Sequence, residues 1–226
     1  MKSDTCAQSD LSQKTTGFCG KKDLLCVSCR VMDLIIKPRL VWEEVRNEEV
    51  SLRDLYFRFT ALVLILPWIS WLVGKCFVGE RVLFAGVVRW PFLRALFVGL
   101  FLYLLCLALI YALSWIAKGL AVLLGFDLNI SKASRLTSYA LVPAMVGGVL
   151  LVVPGLEPVW GLLSLYGAFL LYQGGVAFDV PLDKRVPFFV GMLFGALIFF
   201  GLLSVMIGRF TPPVLPKILE QAIGHV

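Results

Sequence analysis

The sequence predicts an all-α membrane protein: a bundle of five transmembrane helices preceded by a short amphipathic interfacial helix. Three observations carry this. Uncharged windows cover residues 95–117, 136–156, 158–178 and 186–208, with a shorter fifth window at 59–74. At about 1.5 Å rise per residue, the four longer windows match a hydrocarbon core of about 30 Å. Hydrophobic residues make up 59% of the 226 residues and the mean hydropathy is +0.88, well above a soluble domain at about 45–50% apolar. Finally, ten of the 21 Lys and Arg residues lie before the first window, where membrane proteins carry cytoplasmic positive charge.

Residues 1–31 are polar and rich in Ser, Thr, Gln and Lys, without periodicity, and read as a flexible cytoplasmic tail. They lack the apolar h-region of a signal peptide, and the change of texture at Met32 makes it an alternative start. Residues 32–54 form an interfacial segment. Pro38 suits a first helical position, and Val41, Trp42 and Val45 share a face opposite Glu43, Glu44 and Arg46, which predicts a helix with Trp42 at headgroup depth. Ser51 and Asp54 read as a capping box, with Val50 and Leu55 as its staple.

The membrane domain spans 55–208. Span 1 runs from about Leu55 to Val78, kinked at Pro67, with Arg58 and Lys75 snorkelling to opposite faces. Span 2 starts near Pro91 with Trp90 as an interfacial anchor; its apolar run reaches Phe126, too long for one crossing, so a break or an exit from the membrane is expected at Lys118-Gly119, with 120–126 in the interface. Spans 3 and 4 form a hairpin through Pro154-Gly155-Leu156-Glu157-Pro158. Span 5 runs from about Val186 to Gly208, and 209–226 is a short tail. With the N-terminus in the cytoplasm, the inner segments hold fifteen Lys and Arg and the outer ones six, or ten against six without the first 31 residues. This predicts a multi-pass inner-membrane protein with its C-terminus on the opposite side.

Catalytic inventory is sparse. A single histidine, His225, excludes a zinc HExxH site and a Ser–His–Asp triad. The spans carry no central Asp or Glu, the usual mark of a proton or ion path. Cys26 and Cys29 form one CxxC, but Cys6 and Cys19 are separated by twelve intervening residues, so only half of a zinc knuckle exists. Cys76 and Cys106 read as small apolar residues. No metal, cofactor or nucleic-acid partner is expected.

The spans do contain small residues at helix-packing spacing. Ala140, Ala144 and Gly148 recur in span 3, and Gly191 with Gly195 and Ser204 with Gly208 in span 5. These serve bundling within the chain or contacts with a second chain. Tyr139 and Pro143 in span 3, with Tyr166, Tyr172 and Gln173 in span 4, form a second set. Pro143 frees the Tyr139 carbonyl, and the five residues define a polar seam that is either structural or a lipid or ligand contact.

Four stretches carry a resemblance. DLIIKPRLVWEEVRNEEVSLRDLY precedes span 1, SYALVP opens span 3, VPGLEPVWGLLSLYGAFLLYQG covers the hairpin, and VPLDKRVPFFVG leads into span 5. In order and spacing, over about Asp33 to Gly208, the chain resembles the Yip family of Ypt/Rab-interacting membrane proteins, in its bacterial branch. The resemblance implies a five-helix membrane domain with a cytosolic N-terminus. Eukaryotic members bind prenylated Rab-type GTPases and each other. Their Asp-Leu-Tyr-Gly-Pro motif is half present, since Asp54-Leu55-Tyr56 is followed by Phe57-Arg58, so small-GTPase binding does not carry over to this chain.

The expected function is non-enzymatic: association with membrane lipids, with other membrane proteins or with itself, as a scaffold or membrane organiser. The alternative is a channel, transporter or lipid-moving protein that uses the polar seam between spans 3 and 4.

Overall fold

The computed structural model describes residues 27–48, 50–82, 86–153 and 155–210. The tail cysteines Cys6, Cys19 and Cys26, together with Pro154 and His225, lie outside them. Five helices are long and apolar enough to cross a membrane: span 1 (Leu52–Val78), span 2 (Phe92–Leu123), span 3 (Ile130–Val152), span 4 (Pro158–Ala177) and span 5 (Leu182–Phe210). The expected all-α, five-span bundle is the architecture observed.

Two short helices precede it. Helix α1 (Val27–Ile36) begins inside the segment expected as tail, because Val27 and Val31 continue an apolar face through Leu34 and pack on the core. Helix α2 (Pro38–Asn47) has Pro38 in its first turn and buries Val41, Trp42 and Val45, leaving Glu43, Glu44 and Arg46 exposed. The amphipathic pattern is as predicted, but its apolar side covers protein instead of lipid. Trp42 has no exposed surface. It is a core residue and not a headgroup anchor, because span 4 presents Gly174 beneath its ring: a Cβ there would lie 2.8 Å from the indole.

Span 1 starts as predicted. The Ser51 hydroxyl accepts the Asp54 N–H at 3.1 Å and donates to the Asp54 carboxylate at 2.8 Å. Two wide π-type turns, Leu55–Thr60 and Gly74–Val78, bracket a regular centre that contains Pro67. Strands β1 (Glu80–Val82) and β2 (Gly86–Val88) pair antiparallel across the connection to span 2. Gly79, at φ +80°, makes the turn into them. Trp90, expected as an interfacial anchor, is instead buried against Trp71 at 5.8 Å between ring centroids.

Span 2 is one helix of 32 residues, so of the break or exit expected at Lys118-Gly119 the break does not occur. One glycine costs a helix only about 1 kcal/mol. Lys118 lies within the last two turns, its ammonium 5.1 Å from the Trp115 ring centroid, so it reaches the membrane boundary without ending the helix.

Span 3 is the broken element. Ile130–Ala140 and Val142–Gly147 are separate helices, followed by a 3₁₀ stretch, Gly148–Val152. The break falls at Leu141, two residues before Pro143, whose ring and missing N–H interrupt the hydrogen-bond ladder of the preceding turn. Span 3 also forms the bundle's centre: 67% of its apolar window is buried, against 17–28% for the other four spans. Span 5 begins at Leu182, a turn earlier than expected, after a connection in which Asp179 takes φ 58°.

Candidate functional site

The bundle has two ends, the near end holding α1 and α2 and the far end holding the β1–β2 hairpin. At the near end, polar contacts fasten α1 and α2 onto the spans. Arg30 makes a bidentate pair with Glu48, at 2.8 and 2.6 Å, and its guanidinium lies 5.5 Å from the Tyr139 ring centroid. Burial works against the Arg30 charge, but Tyr139 and then Glu48 outweigh it and leave its pKa raised. Arg30 is therefore a permanent cation.

Arg135, near the start of span 3, is buried and donates to Val45 O at 2.6 Å and to Glu48 O. These carbonyls belong to the end of α2, where helix geometry leaves acceptors without partners. Arg46 pairs with Asp179 at 3.1 Å through one nitrogen and more closely through the other. Tyr166 donates to Ile35 O at 3.0 Å.

Beneath this cap lies a hydroxyl cluster. The Tyr56 hydroxyl is 2.9 Å from Ser114 Oγ, which is 2.6 Å from Thr137 Oγ1. Spans 1, 2 and 3 are thus joined by one hydrogen-bonded chain. Ser134 and Ser138, both fully buried, border it with their hydroxyls beside that of Tyr56.

In the far half, all five spans line a half-open apolar cavity of about 140 Å³. Cys106 is a free thiol on its wall. Among the described residues, no group of three or more His, Cys, Asp or Glu is placed to hold a metal ion.

The five seam residues do not converge on that cavity. Tyr139 is buried at the near end, its ring 4.7 Å from Phe59 and 6.1 Å from Trp42. Pro143 is buried at the break in span 3, Tyr166 reaches α1, and Gln173 is half-buried. Tyr172 is exposed and packs edge-on against Phe189 of span 5. Span 4 approaches span 3 closely at the break, through carbonyls other than that of Tyr139. Trp160 Nε1 donates to Ala144 O at 2.8 Å, and a Cβ on Gly167 would lie 2.6 Å from Ala140 O, so only glycine allows this approach.

The small-residue rows divide. Ala140 and Ala144 are buried, and Gly148 sits against Pro67 of span 1. Gly191 meets Leu120 and Gly195 meets Leu113 of span 2, a Cβ at Gly195 falling 3.0 Å from Leu113. Ser204 and Gly208 instead face outward, and nothing lies within 4 Å of a Cβ built at Gly208.

Sequence reasoning missed Arg30, Glu48, Arg135 and the hydroxyl cluster. The signal was present in SKASRLTSY, whose Ser134, Thr137 and Ser138 share one face at helical spacing. It lies at the edge of the uncharged window, where hydropathy treats polar residues as loop.

These features define a polytopic helical membrane protein with a docked N-terminal cap and no assembled catalytic group among the described residues. The Yip1 domain family matches residues 32–210. The chain belongs to that family. No curated protein and no solved structure matches it.

Proposed function

We propose that this chain works without enzymatic chemistry, by associating within the bilayer with other membrane proteins or a second copy of itself. The observation that carries the reading is the division of the small-residue rows. Span 3 and the first part of span 5 use theirs to pack the bundle. Gly201, Ser204 and Gly208 form an exposed stripe on the outer face of span 5, and nothing lies within 4 Å of a Cβ at Gly201 or Gly208. In lipid, where burial of apolar surface gives no drive between helices, such stripes allow close backbone approach and association by packing. Membrane lipids occupy the remaining apolar faces.

The charge distribution supports a cytoplasmic near end, with α1, α2 and their arginine contacts on that side of a bacterial inner membrane and the β1–β2 hairpin opposite. The permeation alternative gains no support from Tyr139, Pro143, Tyr166, Tyr172 and Gln173, which are spread over three different environments.

Crosslinking in native membranes, followed by mass spectrometry, tests the association. Gly201→Leu combined with Gly208→Leu should leave the melting temperature within a few degrees of wild type and remove the crosslinked species. Unchanged crosslinks in the folded double variant would refute the assignment of this face.

A further inference from the structure

We propose that the apolar cavity in the far half of the bundle holds one acyl chain of a membrane phospholipid. The cavity measures about 140 Å³ and draws its wall from every span. Trp71, Leu151 and Ile207 lie close to the far ends of their spans, whereas Leu64, Ile110 and Leu141 lie near mid-depth. Its long dimension therefore follows the helix axes from the far end toward the bilayer centre, as a lipid chain of that leaflet does.

The chemistry of the wall selects hydrocarbon. Tyr103 OH is already committed to Ala61 O at 3.0 Å, and Trp160 Nε1 to Ala144 O. The Trp68 indole N–H is buried without a partner. A trapped water needs two to four polar partners, and one N–H does not provide them. Ions and polar solutes are excluded for the same reason. A cavity of about 150 Å³ with such walls stays dry and admits benzene, so this one takes a chain segment of about six carbons. The surrounding bilayer supplies such chains at high local concentration.

Native mass spectrometry of the full chain, released from mild detergent after purification from membranes, tests the proposal. Wild type should carry one phospholipid adduct per chain. Ala144→Leu and Cys106→Leu each add side-chain volume to the cavity and should lower adduct occupancy about tenfold, with the melting temperature maintained or raised. In vesicles, a phospholipid with a diazirine at its chain terminus should label Met145 or Cys106.

Absence of an adduct, an adduct with the mass of detergent or another apolar compound, or equal occupancy in a folded filled variant would overturn the assignment. If both filled variants fail to fold, the labelling decides, and label confined to outward-facing residues refutes it. Crosslinks through the outer face of span 5 should persist in the filled variants, so the two readings fail separately.

Discussion

Trp42→Ala gives the sharpest test of the docked N-terminal cap. The indole has no exposed surface, makes edge-on contacts with Tyr139 and Phe178 at centroid distances of 6.1 and 6.0 Å, and covers Gly174. Removing a core tryptophan costs about 3–5 kcal/mol. The indole N–H is buried and without a partner, an unfavourable arrangement worth about 1–3 kcal/mol that truncation removes. At mid-range a net loss of about 2 kcal/mol remains, or about 30-fold in the equilibrium for undocking α1 and α2 at about 1.4 kcal/mol per factor of ten. Trypsin in mild detergent reads this directly, because the exposed Arg39 lies on α2 and cleavage of a briefly opened segment follows its population. Cleavage at Arg39 should accelerate by that factor while the five spans remain intact by gel filtration. Trp42→Phe keeps an aromatic ring between Tyr139 and Phe178, discards the unpartnered N–H and should be cleaved at close to the wild-type rate. If Trp42 instead anchored the helix in headgroups, Trp42→Ala would leave the packing against span 4 unchanged. Wild-type protection of Arg39 in Trp42→Ala would therefore refute the core role.

Two further outcomes follow from the packing. Arg135→Ala removes the donor to Val45 O and Glu48 O and should destabilise by about 1.5–3 kcal/mol; Arg135→Lys should recover less than half, since one ammonium does not reproduce the guanidinium fork, and an unchanged melting temperature in Arg135→Ala would sink this role. Gly148→Ala drives a methyl group into Pro67 and should cost about 1–3 kcal/mol by overpacking. Gly161→Ala, with nothing within 4 Å of its Cβ, should stay within about 0.5 kcal/mol. Equal thermal shifts for the two alanines would show that span 1 does not rest on Gly148.

Crossings, their order and the amphipathic pattern of α2 were legible because periodicity and run length report directly on burial from water. What α2 rests on was not, since a stripe of Val41, Trp42 and Val45 fits a headgroup layer and a protein groove equally well. The groove depends on Gly174, more than 130 residues away, and no local pattern connects the two. Trp90 misled for the same reason: a boundary tryptophan suits an interfacial belt, yet Trp71 of span 1 buries it. The continuity of span 2 shows the opposite error, since Lys118-Gly119 carries the local signature of a break and the helix runs through it. The near-end arginines escaped because Arg135, counted among loop charges, is buried and finds its acceptors on another element.

Hydropathy and position in the bundle are related in a way that accounts for the polar cluster. Spans 2 and 5 have the highest hydropathy, 2.7 and 2.5, and the least buried windows, at 22% and 17%. Span 3 combines a hydropathy of 1.5 with 67% burial, whereas span 4, at 1.3 and 28% buried, departs from this relation. Contact with lipid demands an apolar side chain at nearly every position, because a hydroxyl or cation facing hydrocarbon has no partner. A helix packed among spans 1, 2 and 4 is largely free of that demand, so span 3 can carry Ser134, Arg135, Thr137, Ser138 and Pro143 without facing lipid. The same freedom divides the molecule along its length. In the near half, hydrogen bonds tie span 3 to span 2 and α2, and span 2 to span 1, whereas the Gly148–Val152 segment of span 3 has lost α-helical geometry beside the cavity. Sequence changes that alter what the cavity holds should therefore leave the near-end cap in place, and loss of the cap should leave the cavity intact.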